Sequence, residues 1–577
     1  MRHLRTYFRR PRLGTHEPFL GYLKKWIVLS TMLGFLTGII VALLDFANLT
    51  LWSNFSSLLS FNYLLIFPSL LLAFLVSAFL LSKSRTPINS GTEEVVEAYN
   101  SPNHHLDFQS FPLKMLAAVA TIGLGGSAGQ EGPSIYAGGV VGSWISGTFG
   151  RMGLTDEDKR TLLLAGAAAG IGAIFKAPLT GIIFALEAPF KDDLAHRALV
   201  PSLFAAVTSY LTFISIDGSA PLFQFPGMAS FSLLPFGPSA LDLLGSAFLG
   251  LFVGLVALGF IAIYKGTARI MKRIPGPLYY KGVIGACVLT AIGIVSVMLF
   301  RKPYPLGLSY DMVSLALTPG MPPTTLLTLF IMKLIATTFT LGTTGVGGVF
   351  IPQIVMGASL GGLFGELLFP SNVGLFVAVG MASFLAAGYK TPLAAVAFVA
   401  ETTAGPAYLI PSLIAAAVSY SISGQASVSD QQKLQDELDI AQVANLKASD
   451  IMTRRVVAVP AELSVLDFVE EYIFVYQYKT FPVVDREGLV GRISLEEVKG
   501  MPREKWFETR ISDICRRDLH PAFPDSEVQD IMDLMYRTGL GRIPIVDRTK
   551  SRRLVGIVSK SDIIRTLEKA RLQGDAR

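Results

Sequence analysis

Long stretches without a single charge alternate with short polar interruptions up to about residue 430; beyond that point charges fall every few residues. Residues 27–44 and 46–82 are uncharged, with Asp45 alone between them, and further uncharged runs occupy 243–264, 282–300, 334–365 and 402–429. About 18 consecutive apolar residues are enough to cross a bilayer as a helix, so these runs predict a polytopic membrane domain. Other apolar segments, such as 112–124 and 178–186, are shorter and broken by Gly and Pro. Short interrupted helices at membrane depth are tolerated only where they are buried in protein or line a polar cavity, and in transporters built from repeats they point to the binding site.

Three breaks stand out. The first reads Pro87-Ile88-Asn89-Ser90-Gly91-Thr92-Glu93, the second Gly125-Gly126-Ser127-Ala128-Gly129-Gln130-Glu131-Gly132-Pro133, and the third Gly342-Thr343-Thr344-Gly345-Val346-Gly347-Gly348-Val349-Phe350-Ile351-Pro352. Glycine permits close backbone approach, and Pro133 fits the first turn of a helix starting near Glu131. A helix start presents free N–H groups and partial positive charge, which suits an anion. Glu131 would place a negative side chain where an anion can bind, and an ionisable residue at this depth points to function; the plainer alternative is a buried glutamate that caps a helix. Ser90 adds a hydroxyl, either as an anion ligand or as an ordinary N-cap. Cation sites use rings of carboxylates or carbonyls, so helix starts plus a hydroxyl favour an anion.

The membrane part repeats itself. Lys176-Ala177-Pro178-Leu179 leads to Glu187 at the same spacing as Lys390-Thr391-Pro392-Leu393 leads to Glu401, and each copy follows a small-residue stretch, 165–173 and 382–388, suited to close helix packing. Two halves with matching breaks imply a site at the repeat interface.

Composition adds little beyond the class: 16% of residues are charged and the mean hydropathy is +0.51, against about 25% charged in soluble proteins. Arg2, Arg5, Arg9, Arg10, Arg12, Lys24 and Lys25 precede the first span; by the positive-inside rule they predict cytoplasmic termini, and beside a span they signal topology rather than nucleic acid. The first apolar run is too long for a signal peptide. Cys287 and Cys515 form no disulfide framework or metal motif, and no Ser/His pair or metal-ligand cluster suggests an enzyme.

At these residues the chain resembles the CLC family of chloride channels and proton-coupled chloride transporters. The family's Gly-(Lys/Arg)-Glu-Gly-Pro signature is Gly129-Gln130-Glu131-Gly132-Pro133 here, Gly-x-Phe-x-Pro is Gly348-Val349-Phe350-Ile351-Pro352, and Gly-Ser-Gly-Ile-Pro is half kept as Asn89-Ser90-Gly91-Thr92-Glu93. The resemblance implies an inverted-repeat CLC-type fold with short broken helices over residues 26–430, after an N-terminal segment 1–25. It also implies a homodimer in the lipid bilayer with one chloride pathway per subunit. Ser90, Gly91, Gly129 and the amides of Val349 and Phe350 would bind the anion, and Glu131 would be the gating glutamate competing with it. Two departures matter. By alignment Val428 takes the place of the family's inner-gate tyrosine, with Ser427 and Ser429 as substitutes if the register slips by one. Ala188 replaces the exchangers' inner proton glutamate, leaving Asp192 and Asp193 as spare candidates. Both departures lean towards a passive channel; the alternatives are a proton-coupled antiporter and a membrane sensor without net flux.

After a polar linker (431–447), the tail holds a second repeat. Lys479-Thr480-Phe481-Pro482-Val483-Val484-Asp485 matches Gly541-Arg542-Ile543-Pro544-Ile545-Val546-Asp547, each preceded by an amphipathic helix, 465–476 and 527–538. The two units, 448–505 and 506–570, resemble a C-terminal α/β CBS pair. Such pairs often bind adenine nucleotides through an acid three residues after Ser or Thr; Ser559 and Asp562 keep that spacing, and Ser494 with Glu497 puts Glu in its place. The alternative is that Asp562 starts a helix and the pair is a dimer scaffold. No cofactor is required by this reading; chloride is the substrate.

Overall fold

The break sequences do start helices, and the helices they start all belong to one membrane unit. A computed structural model describes residues 19–86, 91–101, 105–150, 154–223, 225, 239–403, 406–434, 443, 446–476, 478–548 and 552–567. The chain divides into two compact units, Met1–Lys433 and Leu434–Arg577.

In the first half of the membrane unit, α1 (Phe19–Phe61), α2 (Ile66–Lys83), α3 (Thr92–Asn100) and α4 (Phe111–Gly123) lead to α5 (Glu131–Thr148), α6 (Asp156–Ile174), α7 (Pro178–Glu187) and α8 (Leu199–Asp217). The second half runs α9 (Ala240–Arg273), α10 (Leu278–Phe300), α11 (Tyr310–Ala316), α12 (Pro323–Gly342), α13 (Phe350–Leu368), α14 (Val373–Tyr389), α15 (Pro392–Thr403) and α16 (Leu409–Ser423). Among the described residues seven helices are long and apolar enough to cross a bilayer, while α4, α7, α14, α15 and α16 are shorter. The uncharged run 334–365 is not one span: it covers the end of α12, the glycine-rich break and most of α13. Likewise 402–429 takes in the last residues of α15, all of α16 and the turn after it.

The halves pack alike. α1 lies on α8 as α9 lies on α16, α5 on α6 as α13 on α14, and α6 on α7 as α14 on α15. At the centre, Gly129 and Gly348 form an antiparallel bridge, each N–H donating to the other's carbonyl at 2.8 and 2.7 Å. The same reciprocity recurs one turn away: Thr340 Oγ1 accepts from the Ser127 amide (3.0 Å) and Thr121 Oγ1 from the Val346 amide (3.1 Å). Equivalent residues that pair antiparallel with each other sit on a local two-fold axis, so the repeat is inverted. In both halves the lysine before the Pro-Leu segment turns the chain in the left-handed region, Lys176 at φ 52° and Lys390 at φ 61°.

Small residues set the helix spacing. Gly138 of α5 and Gly166 of α6 lie with each backbone where the other's Cβ would be, the close approach that small residues allow at membrane depth. Gly166→Val is therefore expected to cost about 3 kcal/mol, the upper end of ordinary overpacking, read as a lower melting temperature of the detergent-solubilised protein. A parental melting curve would show that the helices can separate at no cost.

In the tail unit, β2 (Thr480–Val484) pairs parallel with β1 (Val459–Pro460) and antiparallel with β3 (Leu489–Ser494), and β4 (Arg542–Val546) pairs antiparallel with β5 (Leu554–Ser559). Residues 465–476 are helical throughout, widened to a π-helix over Phe468–Ile473, and α17 (Val528–Thr538) is the corresponding helix of the second repeat. Each repeat buries its own apolar core, Phe468, Phe481 and Ile493 in one and Ile531, Ile543 and Val558 in the other.

Candidate anion site

The second and third breaks bring the starts of α5 and α13 together across the dyad. Val349 is the N-cap of α13 without a side-chain cap, so the first-turn amides need an outside acceptor. Glu131 supplies it: its Oε1 accepts from the Phe350 N–H at 2.6 Å, while Oε2 is buried with no hydrogen-bond partner. The carboxylate fills the space beside Gly129 and Gly348, where a Cβ on either glycine would overlap it. Glycine at these two positions is thus required by the side chain that lies against them.

A cluster of rings seals the site. Phe350 meets Phe175 (4.9 Å between centroids), Phe398 (5.2 Å) and Phe184 (5.4 Å). Rings from the ends or middles of α6, α7, α13 and α15 thereby keep water away, which strengthens every electrostatic contact within.

Two further residues face this site that sequence reasoning passed over. Tyr389, the last residue of α14, packs on Phe184 (5.4 Å), and the residue is buried. It is in electrostatic reach of both Glu131 and Glu93, with Thr92 beside it. A signal existed: aligning the two repeats sets Phe175-Lys176 against Tyr389-Lys390, so the second copy carries a hydroxyl that the first lacks. The other residue is Lys333 of α12, fully buried, whose Nζ donates to Ser309 Oγ (2.8 Å) and the Gly307 carbonyl (3.1 Å) and whose charge reaches Glu131. It sits at the edge of an uncharged run, where a run-based reading takes it as a boundary.

The remaining predicted residues fall as follows. Ser90 lies outside the described residues. Gly91 is the N-cap of α3 at φ 83°, its Cα packed on the Gly132 carbonyl, so the start of α3 abuts the turn that holds Glu131. Val428 is buried, and its amide donates to the Gly388 carbonyl at 2.8 Å, which sets it next to Tyr389. The Ser427 hydroxyl is engaged by Gln432 Oε1 (2.5 Å), while the Ser429 hydroxyl faces Glu93. Ala188 is buried at the C-cap of α7. The preceding Glu187 reaches across to the start of α15, accepting from the Leu393 (3.0 Å) and Ala394 (2.8 Å) amides. Glu401 does the same for α7, accepting from the Leu179 (2.9 Å) and Thr180 (2.7 Å) amides. Asp192 and Asp193 are exposed in the loop after α7. In the tail, Ser559 and Asp562 cap the helix that follows β5: the Ser559 amide and hydroxyl donate to Asp562 Oδ2 at 2.9 and 2.6 Å. Ser494 and Glu497 repeat that box. Among the described residues no group of three or more His, Cys, Asp or Glu could hold a metal ion.

Inverted halves, an anion-seeking helix start and a carboxylate standing on it define a membrane protein built to pass anions. The profile of the family described as voltage gated chloride channel matches residues 68–424, and the CBS domain profile matches 448–501 and 511–569. The chain belongs to this CLC family and carries a CBS pair in its C-terminal unit. It is 28% identical over 333 residues, 56% of this chain and 68% of the relative, to proteins named H+/Cl− exchange transporter ClcA from Salmonella paratyphi B and Salmonella newport. Among solved structures, a CLC-type fluoride/proton antiporter superposes with a TM-score of 0.62 at 23% identity, covering 73% of this chain and 100% of that one. A eukaryotic CLC transporter superposes with a TM-score of 0.62 at 19% identity, covering 94% and 98%. These likenesses show the fold.

Proposed function

We infer that the protein exchanges chloride, or an anion of its kind, for protons across the bilayer, along one pathway in each subunit of a homodimer with cytoplasmic termini. The observation that carries this reading is the placement of Glu131. A carboxylate with one oxygen on the Phe350 amide and the other unpartnered occupies an anion's place while remaining able to take a proton. An anion that displaces it exposes it to protonation, and protonation frees the helix start for the anion. That link is exchange. The names of the Salmonella relatives support the same side of the choice.

The absence of a carboxylate at Ala188 favours a second reading, an uncoupled anion conduit. The absence of a hydroxyl at Val428 no longer does, because the neighbouring Tyr389 brings one from α14. In this reading Tyr389 donates to the anion together with the Phe350 amide, and Lys333 raises anion occupancy by its charge. Tyr389→Phe is expected to weaken anion binding about tenfold, the value of one hydrogen bond to a charged group; unchanged binding by calorimetry would remove Tyr389 from the site. The reading itself is tested with purified protein in liposomes under a chloride gradient, recording both ions. Protons driven uphill establish exchange; chloride flux with no proton movement establishes the conduit.

In the tail, Asp562 is engaged as a cap, and a cleft of about 410 Å³ lined by Tyr478, Thr480, Arg492, Asp518, His520 and Arg542 is the better place for an adenine nucleotide. Arg492 and Asp518 pair there at 2.9 and 2.7 Å, and that hydrogen bonding holds the Asp518 carboxyl below its usual range. The pair is half-exposed, so Arg492→Ala is expected to cost only about 0.5 kcal/mol. The contribution is fully present above the unfolded aspartate pKa, about 3.9, and is lost as pH falls through the lower folded value. Thermal melts at neutral and acid pH read this as a variant deficit that closes on acidification.

A further inference from the structure

A proton that reaches Glu131 must pass a fully buried position walled by rings, and at that depth it moves only between groups that can take and release it. Resting on the exchange reading, the question is which carboxylate hands it over. Among the described residues most are engaged. Glu187 and Glu401 cap opposing helices. Glu94 is ion-paired to Lys114. Asp192 and Asp193 are exposed in a loop. Asp45 lies beside Gln130, Asp217 and Lys176, and the last two are ion-paired with each other.

Glu93 differs on three counts. It is the second residue of α3, whose preceding Gly91 is packed on the Gly132 carbonyl, next to Glu131. It is only partly buried, and its carboxylate reaches the surface-exposed Asp430: Oε2 accepts from the Asp430 amide at 3.3 Å. The groups around it are the Ser429 hydroxyl, Asp430, the Lys265 ammonium paired to Asp430, and Tyr264 of α9. Finally, Tyr389 is in electrostatic reach of Glu93 and of Glu131 alike, and the hydroxyls of Tyr389 and Thr92 lie beside each other there, both on buried residues.

We propose that Glu93 is the carboxylate by which protons enter and leave the pathway at the mouth formed by Ser429 and Asp430, passing to Glu131 across the buried hydroxyls of Thr92 and Tyr389. A proton from water adds to a Glu93 oxygen and neutralises it. A hydroxyl then accepts this proton while releasing its own towards Glu131, so Glu93 regains its charge and Glu131 loses its own. No electrons move and no other reactant is needed. Glu93 also accounts for the half-kept motif: where the family pattern has Ile-Pro, this chain has Thr92-Glu93, a hydroxyl and an acid.

The experiment is Glu93→Gln in the full chain, reconstituted in liposomes with chloride and proton movement recorded together beside the unsubstituted protein. Expected is a fall in chloride-driven proton movement of about a hundredfold, the usual scale of a lost proton-transfer group, with chloride flux still present. Glu93→Asp restores proton movement. Proton movement by Glu93→Gln at the parental ratio overturns the proposal and leaves exchange standing. Loss of both fluxes together in Glu93→Gln assigns Glu93 a structural role and also overturns it. An unsubstituted protein that moves no protons overturns the exchange reading, and this proposal with it.

Discussion

Replacing Glu131 with alanine is expected to leave a protein that carries chloride but no longer couples it to protons or responds to pH. The carboxylate holds its place through one charge-assisted hydrogen bond, from the Phe350 amide at 2.6 Å. Such a bond contributes about 1.5–3 kcal/mol, which taken alone would hold an anion off by about ten- to a hundredfold. Against that stands the unpartnered Oε2, whose desolvation costs about 1–3 kcal/mol. The two nearly offset each other, which is what a plug that must leave requires. Liposome fluxes and anion titration by calorimetry measure both effects. A Glu131→Ala protein that still pumps protons against their gradient would mean that another group carries them past this point.

The largest stability effect is expected at Glu187. Its carboxylate is buried and accepts two amides of the α15 first turn, so Glu187→Ala leaves those donors unsatisfied at membrane depth. At about 1–3 kcal/mol for each orphaned group, the loss should reach about 3–5 kcal/mol, read as a lower melting temperature in detergent. Glu401→Ala removes the equivalent cap from α7, but Glu401 is only partly buried, and water can take over some of its bonds, so the cost should be about half as large. Equal stability of the parent and both variants would rule out the swapped caps as structural elements. Loss of proton coupling in Glu187→Gln with unchanged stability would instead give Glu187 a transport role.

The Lys-x-Pro-Leu…Glu repeat was legible in the sequence because spacing survives divergence; what its glutamates do was not. Each reaches a helix start more than 200 positions away, and nothing local marks such a contact. Glu131 and Phe350 were legible for the opposite reason. Their glycines and prolines announce helix starts by backbone chemistry alone. Charge patterning failed where a helix breaks without a charged residue, as between α12 and α13, because an uncharged glycine-threonine turn leaves no gap in a run counted by charge. Ser559 and Asp562 show an ambiguity of another kind: Ser followed three residues later by an acid is also the signature of a helix cap, and the structure uses it as one. Tyr389 was hidden at the end of the small-residue stretch of the second repeat, just before Lys390, and only its difference from Phe175 in the first copy distinguishes it.

The exchange of caps between halves bears on how this membrane unit is made. When α7 has been synthesised and inserted, the residue that will satisfy its first amides lies in a helix still to come, and Glu187 is a buried acid without its helix. The first half must therefore persist in the bilayer with an open helix end and an unplaced charge until α15 arrives. Expressed separately, neither half should be a stable product, whereas the two produced together as separate chains can complete each other's ends.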